Sequence, residues 1–285
     1  MPLELRRSLA TIGARALRPL WQLRLQTWSN QGSRFAASDA MRHMRGAQSV
    51  TSSTRPGGRL EAYFDGHTTG LGIWKWRHYF EIYDKHFARF AGNEPHILEI
   101  GVYSGGSLDM WMDYLGPGCS VYGVDIDPAC RAYEKESVKI FIGDQADPEF
   151  WRSFRKEAPQ LDIILDDGGH MPHQQIASFE SLFGHLRPGG VYVCEDLAGT
   201  DNGFHRYVCA LARNLNAWEV PELSPTQRAI EAIHLYPFMA VIEKRASPLA
   251  ELSSPRHGTQ WQPFTGGDRA VQVSGTGIHA AAPSI

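Results

Sequence analysis

The chain has 285 residues, enough to bury a large core in one α/β domain with an extension at each end. A formal net charge of -3, with no lysine- or arginine-rich block, excludes the electrostatic footprint of a nucleic-acid groove. No apolar run reaches transmembrane length, and Cys119, Cys130, Cys194 and Cys209 form no Cys-x-x-Cys pair; reduced thiols in a cytoplasmic protein are the expectation.

Residues 1–59 read as a helical or irregular extension. The first fifty carry Arg6, Arg7, Arg15, Arg18, Arg24, Arg34, Arg42 and Arg45, no lysine, and only Glu4 and Asp39 as acids. Leu9, Ile12, Ala16 and Leu20 share one helical face. Such a segment packs on its own domain or on a second copy in a homo-oligomer; an organellar transit peptide has the same composition and is the alternative. At the other end, residues 247–285 are rich in Ser, Pro, Gly and Ala and predict a mostly irregular tail, with Trp261 and Phe264 as candidate anchors.

Residues 60–246 form the domain. Within it, the stretch 74–83 (Trp74, Trp76, Tyr79, Phe80, Tyr83) has helical spacing and reads as core, with a lid as the alternative. Strands are predicted at 96–102, 121–127, 138–143, 161–165 and 191–194, and helices at 107–115, 148–158, 172–186 and 204–215, with a short helical turn opened by Pro128. Pro188-Gly189-Gly190 is expected to stop the helix that starts at Pro172. Alternation of this kind builds a parallel sheet with helices on both faces. The runs 229–235 and 239–243 are joined only by Tyr236-Pro237-Phe238, which leaves no room for a crossover helix, so they pair antiparallel. A mostly parallel seven-stranded α/β sheet closed by an antiparallel hairpin is the Rossmann-like class I methyltransferase arrangement.

Open α/β sheets bind ligands beyond the carboxyl ends of their strands. The first strand ends Glu99-Ile100-Gly101-Val102-Tyr103-Ser104-Gly105-Gly106-Ser107, whose glycines permit a tight turn and a close ligand. Asp125 ends the second strand and can accept from ribose hydroxyls; Asp144 and Gln145 after the third suit an adenine edge. An NAD site uses the same acid, but its Gly-x-Gly-x-x-Gly turn is absent here, where Gly-x-x-x-Gly-Gly follows an acid. S-adenosylmethionine, which carries an amino-acid tail in place of a pyrophosphate, fits better, with Glu99 near its positive charge. The fourth strand ends Asp166-Asp167-Gly168-Gly169-His170 and the fifth Glu195-Asp196-Leu197. Four carboxylates and an imidazole at one sheet edge favour a hard divalent cation, magnesium or manganese, over capping roles for each acid. Neighbours in a strand point apart, so Glu195 and Asp196 can converge on one ion only if the strand has already ended there.

These motifs together, over residues from about 60 to about 245, resemble the macrocin and mycinamicin sugar O-methyltransferases, relatives of which are also called cephalosporin hydroxylases. The resemblance implies magnesium-dependent methylation of a sugar hydroxyl on a natural product. It places the donor against Glu99, Gly101, Tyr103, Ser104, Gly105, Ser107, Asp125, Asp144, Gln145 and Asp166, the metal on Asp167, Glu195 and Asp196, and the general base at His170. The sequence departs from the family pattern twice. Gly169 stands where the family has serine, and His67-Thr68-Thr69-Gly70 stands where relatives carry Thr-Asp-Lys-Gly. His173, on the following helix, reads as a surface residue. Two other classes compete: a protein that binds the methyl donor without catalysis, and an iron-dependent hydroxylase. The latter needs two histidines and one carboxylate, against one histidine and several acids here. Acceptor choice is expected in the N-terminal segment and the loops 197–203 and 216–228.

Overall fold

The computed structural model describes residues 58–199, 202–217, 222–255 and 257, together with Gln31 and Arg34. The amphipathic face expected around residues 9–20 and the candidate anchors Trp261 and Phe264 lie outside the described residues. Seven strands form: β1 (His96–Ile100), β2 (Ser120–Asp125), β3 (Val138–Ile142), β4 (Leu161–Asp166), β5 (Leu186–Cys194), β6 (Ile230–Tyr236) and β7 (Met239–Lys244). They make one sheet in the order β3-β2-β1-β4-β5-β7-β6. The pairs among β1 to β5 are parallel, and β7 runs antiparallel to both β5 and β6. The expected architecture is therefore present. The chain first steps outward from β1 to β2 and β3, then returns to the other side of β1 at β4. That reversal opens a crevice beyond the carboxyl ends of β1, β2 and β4.

Helices α1 (Arg59–Gly66), α2 (Tyr79–Phe87), α3 (Gly106–Leu115), α4 (Pro148–Glu157), α5 (Pro172–Leu182), α6 (Gly203–Leu215) and α7 (Pro225–Ala229) surround the sheet. Strand alternation sends Ile97 to one face and Leu98 and Ile100 to the other. On the first face Tyr79, Tyr83 and Phe87 of α2 meet Trp111 of α3, with Tyr83 and Trp111 edge to face at 5.1 Å. On the second, Trp151 and Phe154 of α4 pack with Phe179 of α5 and Phe204 of α6. Asp147 starts α4 by accepting from Glu149 N at 2.8 Å, ahead of Pro148 at the first helical position. No described helix is long and apolar enough to cross a membrane.

Three local expectations change. The aromatic stretch 74–83 is not one helix: α2 begins only at Tyr79, and Trp74, Lys75 and Trp76 lie in irregular chain before it. Tyr79, Phe80 and Tyr83 are core, whereas Trp74 is 85% exposed and Trp76 52%. Pro188-Gly189-Gly190 does not end a helix but lies inside β5; α5 stops at Leu182 and a 3-10 turn, Phe183–His185, follows. β4 absorbs the extra residues by a register shift, pairing Leu161 with Leu186 and then Ile163 with Val191. Part of the 216–228 loop is the short helix α7, closed by a Ser224–Gln227 capping box.

Phe154 is buried and packs edge to face on Phe141 at 4.8 Å and on Trp151 at 5.6 Å. Phe154→Ala is expected to cost about 3–5 kcal/mol of unfolding free energy, because little in this layer can collapse into the space. Urea unfolding checks this; a loss under about 1 kcal/mol would show that the second face is loosely packed.

Candidate active site

A cleft of about 670 Å³ opens at the strand reversal, within the range of small-ligand sites. Its walls include Glu99 near the end of β1, Gly101, Tyr103 and Ser104 after it, Asp125 at the end of β2, and Asp144 and Gln145 after β3. Asp167, Gly168 and His170 after β4, and Glu195 and Asp196 after β5, complete the edge. Residues from five strand ends thus meet in one place, as the sequence predicts.

The glycine turn is required by contact. Gly101 has φ +91°, and a Cβ there would lie 2.0 Å from the carbonyl oxygen of Asp167. The β1 turn and the β4 turn therefore touch backbone to backbone. Asp125 pins the same turn: its Oδ2 accepts from Val102 N at 2.9 Å and Tyr103 N at 3.0 Å, and its Oδ1 from Asp127 N at 2.9 Å. The Cys130 thiol also bonds to this carboxylate, so its acceptor positions are largely engaged within the protein. Gly105 opens α3 in the left-handed region, and Ser107 in the first turn donates to Glu99 Oε2 at 2.7 Å. Glu99 Oε1 is buried against the cleft without a hydrogen-bond partner. Burial pushes the Glu99 carboxyl up, while Lys75 and Ser107 pull against that rise.

Two expected donor contacts face elsewhere. Asp166 is fully buried and accepts from Gln145 Nε2 at 3.0 Å and the Tyr192 hydroxyl at 2.9 Å. It is absent from the cleft wall, because the last residue of a strand alternates away from Asp167. Gln145 reaches the wall, but its amide is committed. Nε2 donates to Asp166 and to Ser178 Oγ at 3.0 Å, and Oε1 accepts from Gly169 N at 2.7 Å. Gln145 braces the β4 turn in place of offering its edge to an adenine. Asp144 lines the cleft and uses Oδ1 to accept from Ala146 N at 2.8 Å. At Gly169, where the family has serine, a Cβ would meet the amide end of Gln174, whose Oε1 accepts from Met171 N at 3.3 Å.

The acids after β4 and β5 divide into an outer and an inner group. Asp167, His170 and Asp196 offer donor atoms that all lie within 4.8 Å of one another, and His170 Nε2 is 3.7 Å from Asp196 Oδ2. Asp196 Oδ1 accepts from Trp76 Nε1 at 3.1 Å and the Tyr79 hydroxyl at 2.9 Å. Glu195 does not join them. The strand ends at Cys194, but Asp196 takes φ 54° and turns to the mouth, while Glu195 points inward to the Tyr83 hydroxyl and to Lys75. Among the five described non-glycine residues with positive φ, Tyr103, His170 and Asp196 all line this cleft. Local strain of this kind collects where a structure aims side chains.

Lys75 is the residue that sequence reasoning missed. Its ammonium is 2.6 Å from Asp167 Oδ2, 3.2 Å from Glu195 Oε2 and 3.5 Å from Glu99 Oε1. Burial works against its charge, but the carboxylates of Glu195, Asp167 and Glu99 outweigh this and hold the ammonium well above the usual lysine range. A lone lysine between two tryptophans in a stretch that reads as helical carries no signal; period-two alternation through 74–76 was the available clue.

A second group of possible ligands, His86, His234 and Glu243, lies outside the cleft between α2 and the β6–β7 hairpin. It has the two-histidine, one-carboxylate makeup of an iron oxygenase centre. Its atoms are paired, however: His86 Nδ1 with Glu243 Oε1 at 2.8 Å, His86 Nε2 with the Tyr236 hydroxyl at 2.9 Å, and Arg89 with Glu243 at 3.4 Å. These bonds fasten the hairpin to α2.

Sheet order and the glycine turn are those of a class I methyltransferase domain, and residues 98–197 match the family described as Methyltransferase domain. The chain carries such a domain and resembles the macrocin and mycinamicin sugar O-methyltransferases. It is 34% identical over 202 residues to the 8-demethyl-8-alpha-L-rhamnosyl tetracenomycin-C 2'-O-methyltransferase of Streptomyces olivaceus, covering 62% of this chain and 53% of that one. To the demethylmacrocin O-methyltransferase of Streptomyces fradiae it is 34% identical over 188 residues, covering 57% and 47%. Among solved structures it is similar to the MycE methyltransferase from the mycinamycin biosynthetic pathway in complex with Mg, SAH and mycinamycin VI. The TM-score there is 0.59, at 26% identity, with 80% of this chain and 65% of that chain covered. The chain spans about half the length of the curated relatives it matches.

The Asp125 contacts have a pH signature. Burial raises its carboxyl, but the N–H donors of Asp127, Tyr103 and Val102 outweigh that and leave it below the usual aspartate value. The folded state therefore binds this proton more weakly than the unfolded chain does. Its stabilisation is complete above the unfolded value and disappears as pH falls through the folded one. The stability advantage of the native protein over Asp125→Asn should be constant near neutrality and shrink from about pH 5 towards about pH 1. Urea unfolding across that range tests this; a flat difference would show that the charged form is not what the turn holds.

Proposed function

We propose that this chain transfers the methyl group of S-adenosylmethionine to a hydroxyl of a small molecule, a sugar or natural-product glycoside, with help from a bound magnesium or manganese ion. The single observation that carries the reading is that Asp125, at the end of β2, and the Asp167–His170–Asp196 group, after β4 and β5, line one cleft at the strand reversal. Glu99 Oε1, buried with the Lys75 ammonium 3.5 Å away and no hydrogen-bond donor, would take the ammonium of the donor's amino-acid tail. Asp125, which braces the glycine turn, would receive a ribose hydroxyl. Exposed Ile126 beside it offers apolar surface to the base.

Asp167 and Asp196 would hold the divalent ion, and oxygen donors of this kind suit magnesium. When bound there, the ion supplies Lewis-acid chemistry that lowers the pKa of an acceptor hydroxyl. The protein's own groups do the rest. Trp76 and Tyr79 fix Asp196 by two hydrogen bonds to one oxygen, so its other oxygen faces the mouth in a set direction. The sulfonium methyl is already activated, and the walls orient the acceptor in line with it. His170, on the same turn as Asp167, takes the hydroxyl proton at Nε2. The acceptors named for the relatives, rhamnosyl tetracenomycin and demethylmacrocin, support a glycoside as acceptor. A cytoplasmic location accompanies this reading and is supported by four cysteines that are all unpaired. Homo-oligomerisation is proposed only for residues 1–59, on their composition.

Asp196→Asn is expected to abolish methyl transfer to a glycoside acceptor while leaving calorimetric binding of S-adenosylhomocysteine intact. Full activity in excess chelator would remove the ion from the reaction. A second reading makes His170 a ligand, since its Nε2 lies among the donor atoms of Asp167 and Asp196. As base, His170→Ala lowers turnover on the order of a hundredfold to ten-thousandfold with manganese affinity unchanged. As ligand, the same variant loses manganese affinity, and extra metal restores the rate.

A further inference from the structure

Lysine is among the residues least often buried, and an isolated ammonium inside a protein loses its charge unless it is paired. The Lys75 side chain is 3% exposed, between two exposed tryptophans in irregular chain. It is paired with three acids from three different strand ends: Glu99 in β1 just before its last residue, Ile100, Asp167 after β4 and Glu195 after β5. An ammonium has three donors and no acceptor, so these carboxylates use it fully. The Glu99 and Glu195 side chains are each 1% exposed, whereas Asp167 is 19% exposed and shared with the mouth. Tyr83 donates to Glu195 from the side of the core, so this acid has a lysine before it and a tyrosine behind it.

We infer that Lys75 is a resident cation, a positioning residue that fills the inner half of the acid cluster. It neutralises Glu99 and Glu195, and it confines a divalent ion to Asp167 and Asp196 at the mouth. The inference rests on the proposed metal-assisted function but concerns which acids the ion can reach. Its chemical content is exclusion. A fixed positive charge bound to Asp167 repels a second cation from the inner side and withholds Glu195 as a ligand. The ion is held instead where an acceptor hydroxyl enters. The same ammonium faces Glu99 Oε1 while Ser107 holds Oε2, so the floor of the donor pocket and the metal position share one counter-charge.

Lys75→Met keeps the length of the stem and removes the charge. Thermal melting and manganese titration are read without any methyl acceptor. In chelator, Lys75→Met is expected to melt well below the native protein, because three acids lose their cation. Manganese should raise its melting temperature more than that of the native protein, with an apparent affinity at least tenfold tighter, since Glu195 becomes available and the repulsion is gone. A lysine that merely fills space would not be replaced by a metal. Lys75→Met/Glu195→Gln removes one charge of each sign; it should recover stability in chelator and lose the extra manganese affinity, and it carries the test if the single variant does not fold without metal. Equal manganese affinity in the native protein and Lys75→Met overturns the inference, as does a double variant no more stable than the single one. If the native protein shows no manganese response and Lys75→Met does, the metal-assisted function fails while Lys75 as resident cation stands.

Discussion

Carboxylates from three strand ends converge on one buried ammonium, and much of the cleft is arranged around that charge balance. Glu99 and Glu195 lie almost out of reach of water, where an unpaired charge is expensive. Lys75 can meet them because the irregular segment from Gly72 to Trp76 lines the cleft at the sheet edge before α2 begins. The placement of α2 follows: Tyr79 and Tyr83, one turn apart, bring their hydroxyls to Asp196 and Glu195 respectively. One helix thus braces both acids after β5, each by a tyrosine whose ring belongs to the core.

Backbone contact does for the turns what charge does for the side chains. Gly101 allows the β1 turn to press on the carbonyl of Asp167, and Gln145 ties Asp166 to Gly169 from below. Trp151, in the core of the second face, donates to the carbonyl oxygen of Gln145 at 2.8 Å. A continuous path of buried bonds therefore joins the hydrophobic layer under α4 to the turn that carries Asp167 and His170. Such support is what holds catalytic side chains to a fixed direction.

The mouth has a different character. Trp76 packs on Phe238 at 5.4 Å, and His78 Nε2 donates to the carbonyl of Pro237 at 3.0 Å, so the turn of the β6–β7 hairpin backs the segment that lines one side of the cleft. Trp74, Tyr103 and Met171 remain exposed around it. Exposed aromatic rims suit ligands with large apolar bodies and polar tips, the makeup of a glycoside. The antiparallel hairpin is thereby more than an end to the sheet: its turn supports Trp76 and Tyr79, which line the site, and His86–Glu243 locks it to α2.

The strand order of the domain, the glycine turn and the acids at Asp125, Asp167 and Asp196 were legible in the sequence. Each is a local signal, an apolar run that ends in an acid or a glycine, and the sheet's connectivity converts those ends into neighbours. The directions of the side chains were not legible. Glu195 and Asp196 are adjacent, yet one turns inward and the other to the mouth, decided by a positive φ that no composition announces. Asp166 and Gln145 have suitable chemistry for a ligand but spend it on each other, because tertiary packing places Gln145 over the β4 turn. Lys75 lies 92 residues from Asp167 and 120 from Glu195, and its pairing with them depends on where an irregular segment meets a sheet edge. Sequence determined which acids would gather, since strand ends are set by local patterning; only the tertiary structure decided which cation answers them, since that depends on contacts far apart in the chain.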